Sequence, residues 1–111
     1  MPTPFEHLAA LNRLVHDPSR LAILTALSAC DKADFVFLLN ITGLTKGNLS
    51  SHLSKLEGAG LVIIEKTFVD RRPITYAMLS LEGREALEEH WKRLDAIRRA
   101  AKALKPLKTT T

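Results

Sequence analysis

The stretch from Thr45 to Gly58 concentrates short polar side chains that can donate hydrogen bonds. Its apolar residues Leu49, Leu53 and Leu56 recur at spacings of four and three, which puts them on one stripe of a helix. Hydroxyl, amide and ammonium groups bind phosphate oxygens and base edges, and short side chains permit close approach in a groove. An ordinary solvated helix face is the alternative. The candidate binding residues are Thr45, Lys46, Gly47, Asn48, Ser50, Ser51, His52 and Lys55.

A second group of candidate binding residues lies at Arg71 and Arg72, in a polar tip over residues 69–73. The tip separates two segments that have the composition of strands, so the pattern predicts a β-hairpin whose loop is longer than two residues. Arginine at a protruding tip suits the narrow minor groove of duplex DNA, where the negative potential is enhanced. A charged turn that merely keeps an edge hairpin soluble is the alternative.

Other chemistries find no support in residue spacing. The histidines His7, His16, His52 and His90 are scattered, and none stands at metal-ligand spacing such as H-E-x-x-H. No nucleophile elbow, Walker A motif or dinucleotide fingerprint occurs. Cys30 is interpreted as a small buried apolar residue rather than a nucleophile. We therefore expect no enzyme activity, no cofactor and no metal.

These residues must be positioned by a mainly helical chain with one hairpin. Asp17 precedes Pro18, so a helix cap followed by a first-turn proline is predicted there. Asp34 and Thr45 are likewise candidate caps, and residues 41–44 form a turn that contains Gly43. The short third helix is apolar enough to predict burial. The predicted elements are helices over 4–16, 19–29, 35–40 and 45–58, strands over 61–68 and 74–79, and a helix from 80 or 81 to about 102.

Length and charge limit the class of protein. The chain has 111 residues and a net charge of +4, which fits one domain and permits a nucleic-acid partner. We assign residues 1–104 to a single domain and residues 105–111 to a frayed tail. A lone cysteine excludes an internal disulfide, and neither a signal-peptide pattern nor an apolar stretch of membrane-spanning length occurs. A cytoplasmic location is expected.

The last helix carries an apolar stripe about five turns long, which is more than a small core can cover. Part of the stripe is therefore expected to contact a second copy, together with the first helix. Packing of Trp91 inside its own domain is an equal alternative. The basic residues from Arg98 to Lys108 are interpreted as a solvated tail rather than a phosphate contact. The candidate dimerisation residues are Phe5, Leu8, Leu11, Leu87, Trp91, Leu94 and Ile97.

Four segments, in order, resemble the MarR/ArsR-type winged helix-turn-helix transcriptional regulators. Residues 17–24 are similar to the segment that opens the second helix of that superfamily, and residues 44–57 to its recognition helix. Residues 60–62 resemble the start of its first wing strand, and residues 70–85 its wing and following helix. The resemblance implies a mainly α fold with a small β-hairpin, classed α+β: a winged helix-turn-helix with extended terminal helices. It also implies a homodimer that binds double-stranded DNA, with recognition helices in successive major grooves and wings at the minor grooves.

Two other interpretations stay open. One is a winged helix that binds a partner protein, which would require an exposed apolar anchor on the fourth helix, where none is found. The other is a regulator that also senses a ligand or redox change. MarR-type chains are usually longer than this one, and the metal-sensing ArsR branch requires clustered cysteines or His/carboxylate sets, whereas Cys30 stands alone. The operator, the regulated genes and any effector are not specified by the sequence.

Overall fold

A computed structural model describes residues 3–9 and 11–104 of the chain, apart from the side chain of Phe5. The predicted tail over 105–111 lies outside the described residues. The helices are α1 (Pro4–Ala9), α2 (Pro18–Ser28), α3 (Phe35–Thr42), α4 (Lys46–Gly58) and α5 (Leu81–Ala103). The strands are β1 (Ala33–Asp34), β2 (Val62–Val69) and β3 (Arg72–Leu79), in the antiparallel order β1-β3-β2.

The helix caps are those that the sequence predicts. The Asp17 carboxylate accepts from the Arg20 amide at 3.0 Å, with Pro18 in the first turn of α2. Asp34 accepts from the Phe37 amide at 2.7 Å and begins α3. Each cap satisfies an amide that has no partner within its own helix, so the boundary is determined locally.

The first helix is shorter than predicted, because α1 ends at Ala9 and not at His16. The side chain of Asn12 accepts a hydrogen bond from the Leu14 amide at 2.9 Å, and the Asn12 carbonyl accepts from Val15 at 3.1 Å. Asparagine offers the backbone an alternative to helical hydrogen bonds, so the chain turns here. Val15 is fully buried and anchors the turn to the core.

Two features between α2 and α4 differ from expectation. Residues Ala33 and Asp34, predicted as a polar break, form a strand because Ala33 pairs with Ala77 of β3. The predicted burial of α3 holds for Leu38, whereas Val36, Phe37 and Ile41 are exposed at 63%, 49% and 49%. An eight-residue helix that contacts the core along one face leaves its other apolar side chains in solvent.

The hairpin turn is tighter than the predicted loop over 69–73. Val69 pairs with Arg72, so only Asp70 and Arg71 connect the strands, with φ of 51° and 67°. Positive φ at both central residues matches the right-handed twist of a two-residue hairpin. Pro73 lies inside β3 opposite Phe68. The pair beyond a two-residue turn is not hydrogen-bonded, which suits a residue that lacks an amide hydrogen.

One hydrophobic core joins the helices to the sheet. Leu24 and Leu27 of α2, Leu38 of α3 and Leu49 and Leu56 of α4 are all fully buried. Among the described residues, no helix is both long enough and apolar enough to cross a membrane.

Candidate nucleic-acid interface

Helix α4 buries its predicted leucine stripe and exposes its polar face. Leu49, Leu53 and Leu56 are at most 5% exposed. The helix therefore rests on the core along one side, as the spacing of four and three predicts. The candidate binding residues that the structure leaves exposed are Thr45, Lys46, Gly47, Asn48, Ser50, Ser51 and Lys55.

The N-terminus of α4 is arranged to accept an anion. The Thr45 hydroxyl oxygen accepts from the Asn48 amide at 3.1 Å and retains its own proton for donation. The amides of Lys46 and Gly47 belong to the first turn, where helix geometry supplies no carbonyl partner. A Cβ added at Gly47 would meet no atom within 4 Å, so the structure itself does not require glycine there. These exposed amides and the Lys46 charge favour a phosphate oxygen.

The wing places Arg71 and Arg72 at its exposed end, as predicted, although Arg72 lies in β3 rather than in a loop. Arg71 occupies the left-handed region with φ of 67°, a conformation that costs a residue other than glycine roughly 1–2 kcal/mol. Phe68 is also exposed, at 73%. The end of the wing thus exposes two arginines and one aromatic ring.

A groove of about 410 Å³ runs between α4 and the sheet. Ser50, Ser54 and the acidic Glu57 line its helix side, and Lys66 and Thr75 line its strand side. Lys66 pairs with Thr75 across the strands, so an ammonium group lies on the same side as the α4 hydroxyls. Sequence reasoning missed Lys66. The signal that could have found it is the alternation of β2, which puts Lys66 on the same strand face as the buried Val62.

His52 differs from its neighbours because it is half-buried. Its Nδ1 atom lies 3.3 Å from Nη1 of Arg20, which is on α2. The predicted binding face therefore includes one side chain that is held by another helix. Arg20 was not among the predicted site residues.

The candidate dimerisation residues do not share one environment. Leu11 and Leu87 are 8% and 3% exposed, so both pack inside their own chain. Leu8 and Trp91 are 46% and 42% exposed, and Leu94 and Ile97 are half-buried. The side chain of Phe5 lies outside the described residues. The predicted surface is thus reduced to a stripe that runs from Leu8 to the second half of α5.

Two histidines that are distant in sequence meet near the middle of α5. His16 Nδ1 lies 3.5 Å from His90 Nε2, and His90 is only 2% exposed. Burial, followed by the charge of His16, lowers the pKa of His90 below its usual range. Within the part of the chain that the structure describes, His90 Nδ1 has no hydrogen-bond partner, whereas metal-ligating imidazoles donate their second N–H. The surroundings of His90 therefore favour a neutral imidazole over a metal ligand. The described residues contain no group of three or more potential metal ligands.

The basic run on α5 is partly neutralised within the chain. Arg98 Nη2 lies 3.0 Å from an Asp95 carboxylate oxygen, and Arg99 also binds Asp95. These two arginines lower the pKa of Asp95 by hydrogen bonding and charge. Lys105 and Lys108 lie outside the described residues. The part that the structure describes therefore supports a solvated helix end with local ion pairs.

Comparison with known proteins places this architecture in a family. The profile of the family described as "Winged helix DNA-binding domain" matches residues 19–97. The HTH-type transcriptional regulator CmtR of Mycobacterium tuberculosis is 38% identical over 84 residues, which are 74% of this chain and 66% of CmtR. The chain thus spans slightly less than two thirds of that relative.

Solved structures agree with the sequence matches. A transcriptional regulator homologue from Pyrococcus horikoshii OT3 has a TM-score of 0.81 and 32% identity, and the match covers 89% of this chain and 99% of the homologue. A regulator assigned to the MarR family from Enterococcus faecalis V583 has a TM-score of 0.60 at 23% identity, with 86% of each chain covered, and shows the shared fold. The chain belongs to the winged helix DNA-binding domain family. The relatives named above, CmtR and the Pyrococcus horikoshii homologue, are described as transcriptional regulators. Proteins of this family are generally not enzymes.

Proposed function

We propose that the protein is a transcriptional regulator that binds specific sites on double-stranded DNA as a homodimer. The observation that carries the proposal is the exposed donor face of α4, from Thr45 to Lys55, in a chain of the winged helix DNA-binding family. Helix α4 occupies the major groove, which is wide enough to admit a helix. Asn48 and Ser51 contact base edges, whereas Lys46 and Lys55 contact phosphates.

The wing contacts the flanking minor groove through Arg71 and Arg72. The two-residue turn supports this role, because it holds both guanidinium groups at the end of a twisted ribbon rather than on a flexible loop. Lys66, on the strand side of the groove beside α4, contacts a phosphate between helix and wing. A narrow minor groove attracts arginine electrostatically, so the wing adds affinity without requiring a particular base.

The second copy packs against the stripe formed by Leu8, Trp91, Leu94 and Ile97. The 23 residues of α5 extend about 34 Å. Along α1 and α5, Leu8 and Trp91 are exposed, and Leu94 and Ile97 are half-buried. These apolar side chains are not fully covered within one chain, which supports a contact with a second chain. Pairing of two copies spaces two recognition helices for successive major grooves, about 34 Å apart.

A salt titration of binding to random duplex DNA tests the proposal. Wild type is compared with Arg71→Ala/Arg72→Ala and with the control Arg98→Ala/Arg99→Ala, which removes the same charge from α5. Loss of two phosphate-neutralising contacts reduces the slope of log affinity against log salt by about 1.8. We expect this in the wing variant and an unchanged slope in the control.

Two outcomes would contradict the proposal. Equal slopes for wild type and the wing variant would remove the wing from the interface. Absence of any binding at low salt would favour the alternative of a protein-binding winged helix.

A further inference from the structure

Arg20 of α2 is held in a network that ends on the candidate recognition helix. Its Nε donates to the Leu14 carbonyl at 2.6 Å, and its Nη2 donates to the Arg13 carbonyl at 3.4 Å. Nη2 also lies 3.8 Å from Asp17 Oδ2, and Nη1 lies 3.3 Å from His52 Nδ1. The Arg20 side chain is only 13% exposed. The guanidinium therefore joins the segment before α2 to α4.

The contact with Arg20 determines which nitrogen of His52 carries the proton. A guanidinium has only donors, so Nη1 must donate and His52 Nδ1 must accept through its lone pair. A neutral imidazole with an unprotonated Nδ1 carries its hydrogen on Nε2. Among the described residues, Nε2 of His52 makes no hydrogen bond. One N–H donor on α4 is thus fixed in orientation and left for an external acceptor.

The neighbours of His52 indicate what that acceptor is. Asn48 and Lys55 lie one turn before and after His52 on the same side of α4, and both are exposed in the candidate interface. Because the Lys55 ammonium lies one turn from His52, it favours an acceptor oxygen that carries negative charge.

We propose that Arg20 is a positioning residue for DNA binding and that it acts through His52, whose Nε2–H donates to a backbone phosphate oxygen. The inference rests on the proposed function and deepens it. Arg20 makes no contact with DNA itself, because its side chain is only 13% exposed and its guanidinium is engaged with Leu14, Arg13 and His52. The Arg20 contacts also connect α4 to the turn that follows α1.

The proposed contact has a signature that differs from that of the wing. A neutral imidazole releases no counterion, so its loss weakens binding without changing the salt slope. A phosphate contact carries no base information, so the loss is the same on every sequence.

The first test measures the affinity of His52→Asn for random duplex DNA. The asparagine oxygen can replace Nδ1 as acceptor from Arg20, but the side chain has no donor at the Nε2 position. We expect a loss of roughly 10- to 100-fold, as for a hydrogen bond to a charged group, with an unchanged salt slope. Unchanged affinity would overturn the phosphate contact.

A double-mutant cycle tests the role of Arg20. If Arg20 acts through His52, the double variant Arg20→Met/His52→Asn has the same affinity for duplex DNA as whichever single variant binds it more weakly. Additive losses, or a slope reduced by about 0.9 in Arg20→Met alone, would indicate a direct Arg20 contact with DNA and overturn the proposal. The control Arg93→Met removes one arginine of α5 that pairs with Glu89. If Arg20→Met does not fold, Arg20→Lys keeps the charge and a donor for Leu14.

A spectroscopic measurement on wild type is independent of folding of the variants. Long-range ¹H–¹⁵N NMR correlations of the His52 ring are expected to show a protonated Nε2 and an unprotonated Nδ1. A proton on Nδ1 would overturn the positioning by Arg20. A wild-type chain that binds no duplex would remove the proposed function and the phosphate contact together. If wild type binds duplex DNA and His52→Asn binds it equally well, only the phosphate contact is overturned and the proposed function stands.

Discussion

Replacement of Gly83 by alanine is expected to destabilise the fold, although the helix position alone predicts the opposite. Gly83 lies in the first turn of α5, and alanine is favoured over glycine inside helices by about 1 kcal/mol. In the structure, however, a Cβ at this position would lie 2.0 Å from the Leu61 carbonyl oxygen and 2.9 Å from Leu79 Cδ1. The Leu79 side chain can rotate away, but the Leu61 backbone cannot.

The magnitude follows from what the Leu61 carbonyl binds. It accepts a hydrogen bond from the Ser80 amide at 3.1 Å, and the neighbouring Gly60 carbonyl accepts from the Ser80 hydroxyl at 2.6 Å. Relief of the clash must separate Leu61 from α5 by about an ångström, which breaks or stretches these bonds. An unsatisfied buried polar group costs roughly 1–3 kcal/mol, and overpacking costs a similar amount. Allowing for the helix propensity, we expect a net loss of about 2–4 kcal/mol.

Thermal and denaturant unfolding of Gly83→Ala and Gly58→Ala measures this difference. Gly58 is exposed in α4 and an added Cβ there meets no atom within 4 Å, so Gly58→Ala is expected to gain up to about 1 kcal/mol. A shift of 1 kcal/mol moves the Tm by roughly 4–8 °C in a domain of this size, so Gly83→Ala is expected to melt roughly 8–32 °C lower. A Gly83→Ala protein as stable as wild type would refute the proposed packing of α5 on Leu61.

Three further predictions concern the site and its supports. Asn48→Ala is expected to lose about 1–3 kcal/mol of binding on a specific site and little on random DNA, because a base contact is removed; an equal loss on both by fluorescence anisotropy would exclude base readout. Trp91→Ala is expected to shift the chain toward monomer in sedimentation, because it removes a 42% exposed ring from the proposed interface; an equally tight dimer would contradict that role. The stability of wild type is expected to fall as the pH drops below 6.5 toward the lowered pKa of His90. In this range the His90 imidazole takes up a proton in the unfolded chain but not when it is buried in the folded chain. His90→Leu should flatten this dependence in urea unfolding at pH 7.5 and 5.5, and parallel curves would rule out His90 as its source.

The local features of the chain could be predicted because they depend on residues within one helical turn. The caps at Asp17, Asp34 and Thr45 each bind an amide three residues further along, and all three are confirmed. The Leu49 and Leu53 stripe follows from helical periodicity, and the hairpin from its two strand-like segments. The end of α1 also depends on a local feature, the Asn12 side chain that competes for a backbone amide, whereas apolar spacing alone predicts a helix that continues to His16.

The turn of the wing shows where local reasoning ends. Asp70 and Arg71 lack the Asn-Gly or Asp-Gly pattern of a two-residue hairpin, so the sequence favours a longer loop. The register of β2 on β3 forces both residues to positive φ, because pairing continues to Val69 and Arg72. Strand pairing over eight residues outweighs an unfavourable conformation at one arginine.

The sequence by itself determined the order of the helices and the hairpin, the polar face of α4 and the basic tip of the wing, since each depends on residue types at short spacing. Only the tertiary structure decided that Ala33 pairs with Ala77 and that Arg20 holds His52 across 32 residues of sequence. It likewise decided that His16 meets His90 across 74 residues. Such contacts depend on how packed elements bring distant residues together. Periodicity and capping report only a residue's nearest neighbours along the chain.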